Sequence, residues 1–177
     1  MLAKNSLVRR DRPESIDIVK VRLVKERSSP YGKQTVKRSE DTLSVAKKFL
    51  AGEDREVLIS INLDQSLKIC SIHVVAIGSV STTVVHPREI FKAAILSNAS
   101  HLVLAHNHSS GDPNPSDDDE ELTCKLFAWG DMLAIPVEDH IIIGDDKYSR
   151  CNKIKGNNGK IQIWWETRNF ESDQEVS

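Results

Sequence analysis

Long apolar runs are missing from this sequence. Its longest apolar stretches are only a few residues, whereas a membrane-spanning helix needs about 20. The first fifteen residues carry positive charges but lack the apolar core of a secretory signal. We therefore expect a cytoplasmic protein that does not use a membrane.

Cysteine is scarce as well. The three cysteines, Cys70, Cys124 and Cys151, are an odd number, lie far apart and include no Cys-x-x-Cys pair. This pattern argues against both a disulfide framework and a thiolate zinc cluster. We interpret all three as buried or half-buried structural residues.

Internal repeats and a domain linker are also lacking. A chain of 177 residues has room for one domain with a real core. Its 39% apolar and 28% charged residues are ordinary for a globular protein. We predict a disordered lead-in over residues 1–14, a basic strand–helix segment over 15–52, a main domain over 53–155 and a loosely held tail over 156–177.

Charge is distributed unevenly along the chain. Residues 1–48 contain 13 Lys and Arg against 6 Asp and Glu, a net charge of +7, while residues 49–177 carry −9. A basic arm on an acidic body is compatible with nucleic-acid contact through residues 1–48. It is also compatible with a segment that packs on its own domain's acidic face or is simply solvated. The charge split alone leaves the partner open.

Hydrophobic periodicity predicts strands that alternate with helices. The predicted strands cover 16–24, 56–63, 67–77, 82–85, 101–108 and 141–143, and the predicted helices cover 40–51, the residues from Pro87 onward and 117–132. On the last helix one face carries Leu122, Leu126, Trp129 and Leu133. One strong hairpin among alternating elements favours an α/β (α+β) fold, with a mixed β-sheet flanked by helices.

The segment HNHSSGDPNPSDDD, residues 106–119, carries the chemistry of interest. Side chains two apart in a strand point the same way, with Cα atoms about 6.5–7 Å apart. His106 and His108 can therefore bind one ion while Asn107 faces away. A Gly- and Pro-rich loop then returns the chain to a helix that presents Asp119. Two imidazoles and one carboxylate leave a fourth position open, which is the pattern of a catalytic zinc site.

Ser116 and Asp119 also form Ser-x-x-Asp, a capping-box-like helix start. A His-x-His pair alone is a weak signal, because many such pairs are surface or core histidines. The two patterns in this order, with a turn-rich loop between them, predict a metal site more strongly than either does alone. The cap and the metal site are compatible, because Ser116 can begin the helix and still direct its hydroxyl toward the metal.

The order H-x-H, seven residues, S-x-x-D is the JAMM motif of the MPN/JAB metallohydrolases, which this segment resembles. The longer HNHSSGDPNPS is similar to the RadC branch, whose usual form is HNHPSGDPxPS. The resemblance runs from about Glu56 to Lys147 and includes HPREIF and DHIIIGDDK. It implies a JAMM fold, cytidine-deaminase-like in layout, with zinc held by His106, His108 and Asp119; manganese is the alternative metal. It also implies hydrolysis of an amide or isopeptide bond and a DNA-repair or mobile-element context.

The same family uses a glutamate at the start of an early core strand as general base, and REVLISINLD at 55–64 is similar to that strand. The resemblance assigns this role to Glu56, which would accept a proton from water and pass it to the leaving amine. It assigns Ser116 a hydrogen bond to the oxyanion of the tetrahedral intermediate. We interpret His140 as a residue that orients a ligand, because a fourth ligand would close the open position.

Two departures from the family pattern leave other functions open. Ser109 replaces the usual proline, so we expect a more mobile loop, and the sequence shows no helix-hairpin-helix pair for DNA like that of longer RadC relatives. One alternative is a metal-dependent DNA nuclease. Another is a non-catalytic accessory protein in DNA repair or recombination, in which zinc only shapes the loop. The oligomeric state stays open too, a homodimer included.

Overall fold

The computed structural model describes residues 20–28, 36, 39–78, 85–156 and 160–170. Within these ranges no helix is long and apolar enough to cross a bilayer. The helices and strands follow one another as α1 (Ser39–Leu50), β1 (Val57–Leu63), β2 (Ile69–Ile77), α2 (Pro87–Leu96), β3 (His101–Asn107), α3 (Asp117–Leu133), β4 (Val137–Ile143), β5 (Lys147–Lys155) and β6 (Ile161–Asn169).

The strands form one mixed sheet in the order β2-β1-β3-β4-β5-β6. β3 and β4 run parallel, and the other neighbouring pairs run antiparallel. A parallel pair needs a crossover connection, which α3 supplies. The sheet confirms the predicted α/β fold with a mixed sheet flanked by helices.

Helices cover both faces of the sheet. α1 packs into one buried cluster with β1, β3 and β4, whereas α2 and α3 pack into a second. Along β3, Ala105 belongs to the first cluster and Leu104 to the second. Because successive side chains point to opposite faces, His106 falls on the α2/α3 face and Asn107 on the α1 face. The end of β3 therefore contributes a side chain to each face of the sheet.

Two predicted elements differ from the structure. Residues 20–24 of the predicted strand over 16–24 are exposed and have no regular structure, and residues 16–19 lie outside the described ranges. The predicted tail instead contains β6, because Ile161, Ile163 and Trp165 alternate with exposed residues and pack against the α2/α3 cluster. Most of the short strand predicted over 82–85 also lies outside the described ranges.

The inward face of α3 also differs from the prediction. Trp129 and Leu133, expected on that face, are 37% and 47% exposed. The buried face instead passes through two polar residues, Asp119 and Thr123, before it reaches the apolar ones. α3 therefore turns hydrogen-bonding groups toward the end of β3.

The cysteines are free thiols. Cys151 is buried, as expected, but Cys70 and Cys124 are exposed, so the interpretation of all three as buried or half-buried is wrong. Burial raises the pKa of the Cys151 thiol to about 12, which keeps it protonated at neutral pH.

Candidate metal centre

Three predicted ligands meet where β3 ends and α3 begins. The Nε2 atom of His106 lies 3.0 Å from Nε2 of His108 and 3.2 Å from Oδ1 of Asp119. The Nε2 atom of His108 lies 3.4 Å from Oδ2 of Asp119. His106 and Asp119 are buried, His108 is partly exposed, and the group could hold a metal ion.

The separations fit one small ion. Around a tetrahedral zinc with bonds of about 2.0–2.1 Å, neighbouring ligand atoms are about 3.3 Å apart. The two Nε2 atoms are 3.0 Å apart, and each lies 3.2–3.4 Å from a different oxygen of the Asp119 carboxylate. Nδ1 of His108 lies 2.8 Å from the carbonyl oxygen of Asp112. A carbonyl only accepts, so in the neutral ring Nδ1 carries the proton and Nε2 presents a lone pair. The donor set therefore suits a divalent metal.

Backbone contacts fix the loop that carries His108. The His108 N–H donates to the Ile143 carbonyl at 3.0 Å, and the Asp145 N–H donates to the Gly111 carbonyl at 3.0 Å. Gly144 permits this approach, because a Cβ atom there would collide with the Gly111 carbonyl oxygen. The loop is thus docked onto the end of β4.

Asp119 is held by the predicted capping box, which the structure confirms. The Ser116 N–H and hydroxyl donate to Asp119 Oδ2 at 2.9 and 2.6 Å, and the Asp119 N–H donates to Ser116 Oγ at 3.2 Å. Burial by itself would raise the pKa of Asp119. The adjacent His106 and His108 rings, and then the Ser116 hydrogen bond, outweigh burial and hold that pKa well below its usual value. The carboxylate is therefore charged, as a metal ligand must be.

The same carboxylate acts on His108. Burial lowers the pKa of His108, but the hydrogen bond to Asp119, the Asp112 carbonyl and the charge of Glu56 together raise it above its usual value. A metal at this position would therefore compete with a proton for the His108 ring.

Glu56 lies beside the group. The antiparallel register pairs Leu58 with His106, and its continuation by two residues brings Glu56 opposite His108. The Ser109 hydroxyl donates to Glu56 Oε1 at 3.5 Å, and the Glu56 charge acts on the pKa of His108. The residue that replaces the family's proline thus contacts the predicted general base, whose catalytic role stays a prediction.

Asn107 has a role that the sequence did not indicate. Its Oδ1 accepts from the Val57 N–H at 2.8 Å, and its Nδ2 donates to the Arg55 carbonyl at 2.9 Å. These two contacts hold the backbone on both sides of Glu56. Asn107 does face away from the two histidines, as predicted, but it uses the opposite face of the sheet to tie the start of β1 to the end of β3.

His140 and Thr123 lie behind His106. His140 Nε2 is 3.0 Å from His106 Nδ1, and His140 Nδ1 is 2.6 Å from Thr123 Oγ1. Burial, and next the neighbouring His106, lower the pKa of His140 to about 3, so its ring is neutral. Sequence reasoning missed Thr123. Its signal was the spacing of one helical turn from Asp119, which puts both residues on one helix face.

A cleft of about 350 Å³ opens beside His108. Its charged lining consists of Lys47 and three acidic residues, Glu53, Asp54 and Asp145. Because the lining carries more carboxylates than ammonium groups, the cleft is acidic.

Comparison with known proteins relates the chain to one family. The family model described as "RadC-like JAB domain" matches residues 36–155. A UPF0758 protein of Desulforudis audaxviator is 41% identical over 122 residues, which cover 69% of this chain and 53% of that protein. One of Caldanaerobacter subterraneus is 42% identical over 113 residues, 64% and 48% of the two chains. One of Methanosarcina mazei is 38% identical over 116 residues, 66% and 51%. The chain spans about half the length of these curated relatives.

Proposed function

Because the chain belongs to the RadC-like JAB domain family, we propose that it is a zinc-dependent hydrolase of an amide or isopeptide bond. The observation that carries this proposal is the group His106, His108 and Asp119, in which the two imidazole nitrogens lie 3.0 Å apart and each lies within 3.4 Å of an Asp119 carboxylate oxygen, so that the group could hold one metal ion. Three protein ligands leave a fourth position open for reaction. Zinc is favoured over manganese because imidazole suits zinc, whereas manganese prefers oxygen ligands.

In the proposed hydrolysis, each side chain of the site has a separate role. Zinc bound there supplies a Lewis acid that activates a water molecule and polarises the substrate carbonyl. Glu56, opposite His108 by the register of β1 and β3, accepts the proton of the attacking water and delivers it to the leaving amine. The Ser116 hydroxyl donates to Asp119 and can rotate to donate to the oxyanion instead.

Two observations favour an amide over a DNA phosphodiester. Phosphodiester cleavage commonly uses two metals that clamp both oxygens, and the described residues contain one potential ligand group. The neighbouring cleft is lined by Glu53, Asp54 and Asp145, and these carboxylates repel a polyanion. The proposal therefore assigns the site to a peptide-like substrate.

Nucleic-acid contact is a separate proposal that rests on residues 1–48. In the described part of this segment, Lys20, Arg22, Lys25 and Arg27 are exposed. Replacing these four with glutamate should weaken DNA binding and flatten its dependence on salt, because phosphate contacts release counterions. Equal binding by the wild type and this variant at several salt concentrations would contradict the proposal. The variant changes no residue of α1, but it removes the contact of the Arg27 guanidinium with the Phe49 ring, so a folded state is checked by circular dichroism.

The first experiment is metal analysis of the purified protein by elemental mass spectrometry. About one zinc per chain is expected, and a His106→Ala/His108→Ala variant should lose it. His101→Ala is the matched control, because His101 lies on the same strand but contacts Glu138 instead of the group. A wild type that binds no zinc, even when zinc is supplied, would refute the hydrolase and leave a non-catalytic accessory role in which zinc has no part.

The second experiment identifies the bond. The zinc-loaded protein is incubated with peptide, isopeptide, single-stranded DNA and duplex DNA substrates. Glu56→Gln should abolish cleavage and retain zinc, whereas the exposed Glu121→Gln on α3 should change neither. Cleavage of DNA but of no amide would replace the proposed function with the nuclease.

A further inference from the structure

A continuous chain of hydrogen bonds runs from the backbone of α3 to His106. Thr123 Oγ1 lies 2.5 Å from the carbonyl oxygen of Asp119 and 2.6 Å from Nδ1 of His140. His140 Nε2 then lies 3.0 Å from Nδ1 of His106. Thr123 is 1% exposed, and both histidines have no exposed surface, so water does not compete for these contacts.

The direction of each hydrogen bond follows from donor chemistry. The Asp119 carbonyl can only accept, so the single hydroxyl proton of Thr123 is donated to it. Thr123 must then accept from His140, which puts the His140 ring proton on Nδ1. A buried imidazole without a charged partner is neutral and carries one ring proton. His140 Nε2 is therefore an acceptor, and His106 must donate from Nδ1.

The consequence appears at the other side of the His106 ring. With the proton on Nδ1, the Nε2 atom of His106 presents a lone pair toward His108 and Asp119, which lie 3.0 and 3.2 Å away. The opposite tautomer would put a proton where a metal has to bind. We propose that Thr123 and His140 are positioning residues that set the tautomer and ring orientation of His106 before any metal arrives.

Two further contacts restrict the arrangement. The Trp165 ring packs edge-on against the His140 ring, with centroids 5.4 Å apart, which limits rotation of His140. Asp119 supplies both a carboxylate to the candidate metal group and the carbonyl at which the hydrogen-bond chain ends. A shift of α3 would therefore move one ligand and the support of another together.

This inference rests on the proposed metal site, but part of its test does not. In the ¹⁵N-labelled, metal-free wild type at pH 8, long-range ¹H–¹⁵N spectra of the imidazole rings report which nitrogen carries the proton. His106 and His140 are both expected to be protonated at Nδ1. A His106 ring protonated at Nε2 alone would overturn the proposal, whether or not the protein binds zinc.

The variants test the link to metal binding. Thr123→Val removes the hydroxyl at nearly constant volume, and zinc affinity, measured by competition with a chelating indicator, should fall about 10- to 100-fold. Thr123→Ser should restore it. Ser60→Ala is the control, because the Ser60 hydroxyl is also fully buried but has no partner among the described residues.

The outcomes distinguish failure of the proposed function from failure of the positioning role of Thr123 and His140. A wild type that binds no zinc refutes the proposed function, and the ring spectra still decide the tautomer. Unchanged zinc affinity and unchanged ring spectra in a folded Thr123→Val protein would overturn the positioning role. If Thr123→Val does not fold, the wild-type spectra and the zinc affinity of Thr123→Ser carry the test.

Discussion

Replacing Asn107 with alanine should loosen the backbone around Glu56 while leaving the three candidate metal ligands in place. The change removes two hydrogen bonds, from the Val57 N–H at 2.8 Å and to the Arg55 carbonyl at 2.9 Å. Val57 is buried, so its N–H would lose its partner without gaining water, which costs about 1–3 kcal/mol. The Arg55 carbonyl belongs to an exposed residue and can be hydrated by water. Loss of its hydrogen bond from Asn107 therefore adds about 0.5–1.5 kcal/mol.

The expected loss in the free energy of unfolding is therefore about 1.5–4.5 kcal/mol, measured by urea denaturation. Asn62→Ala is the matched control. Asn62 is also buried on a core strand, but it donates one hydrogen bond, to Ser71, and its Oδ1 has no partner among the described residues. A smaller loss is expected there.

Zinc binding and hydrolysis should respond differently to Asn107→Ala. Zinc content should stay at about one per chain, because His106 and His108 keep their own contacts. Hydrolysis should fall by about 100-fold, because a catalytic group displaced by about 1 Å loses that much. An Asn107→Ala protein with wild-type stability would refute the role of Asn107 in holding the backbone around Glu56. A variant that loses zinc and activity together would refute it as well.

Three other changes give separate expectations. Zinc affinity should fall steadily as the pH drops below neutral, because the raised pKa of His108 keeps a competing proton on the ring; a titration that is flat from pH 8 to 5.5 would contradict this. Gly144→Ala should lower both zinc affinity and thermal stability, because its Cβ displaces the Gly111 carbonyl and the loop beyond it; unchanged zinc affinity would mean that the loop adapts. Arg150→Met should lower the free energy of unfolding by about 3–5 kcal/mol at pH 7, because Asp139 stays buried without its ion-pair partner. Burial already raises the pKa of Asp139, so the loss should shrink at pH 5, and urea denaturation at both pH values measures it.

The ligand group could be predicted from the sequence because its geometry is local. His106 and His108 share a strand face through a period of two, and Ser116 and Asp119 belong to one helix start. Neither relation depends on how distant parts of the chain pair. Turn residues between them were enough to predict that the two patterns meet, and the structure brings them within hydrogen-bonding distance.

The supporting residues could not be predicted in the same way, because each contact crosses between elements that are distant in sequence. Asn107 reaches residues 50 and 52 positions away, and that contact depends on the register of β1 against β3. The inward turn of Thr123 follows from the rotation of α3, where apolar periodicity pointed to Trp129 and Leu133 instead. β6 was missed because the adjacent Trp164 and Trp165 interrupt the apolar–polar alternation of residue types, although burial alternates in the structure, and because the strand precedes a polar end.

The two histidines are held differently, and this difference indicates where a substrate approaches. His106 is fully buried with His140 behind it, whereas the side chain of His108 is 14% exposed and borders the acidic cleft. Among the three candidate ligands, His108 alone lines the cleft. Two histidines and a carboxylate can support attack on an amide or on a phosphodiester, so the ligands do not select the bond. The proposal of an amide substrate rests instead on the carboxylates of the neighbouring cleft, which would repel a phosphate backbone.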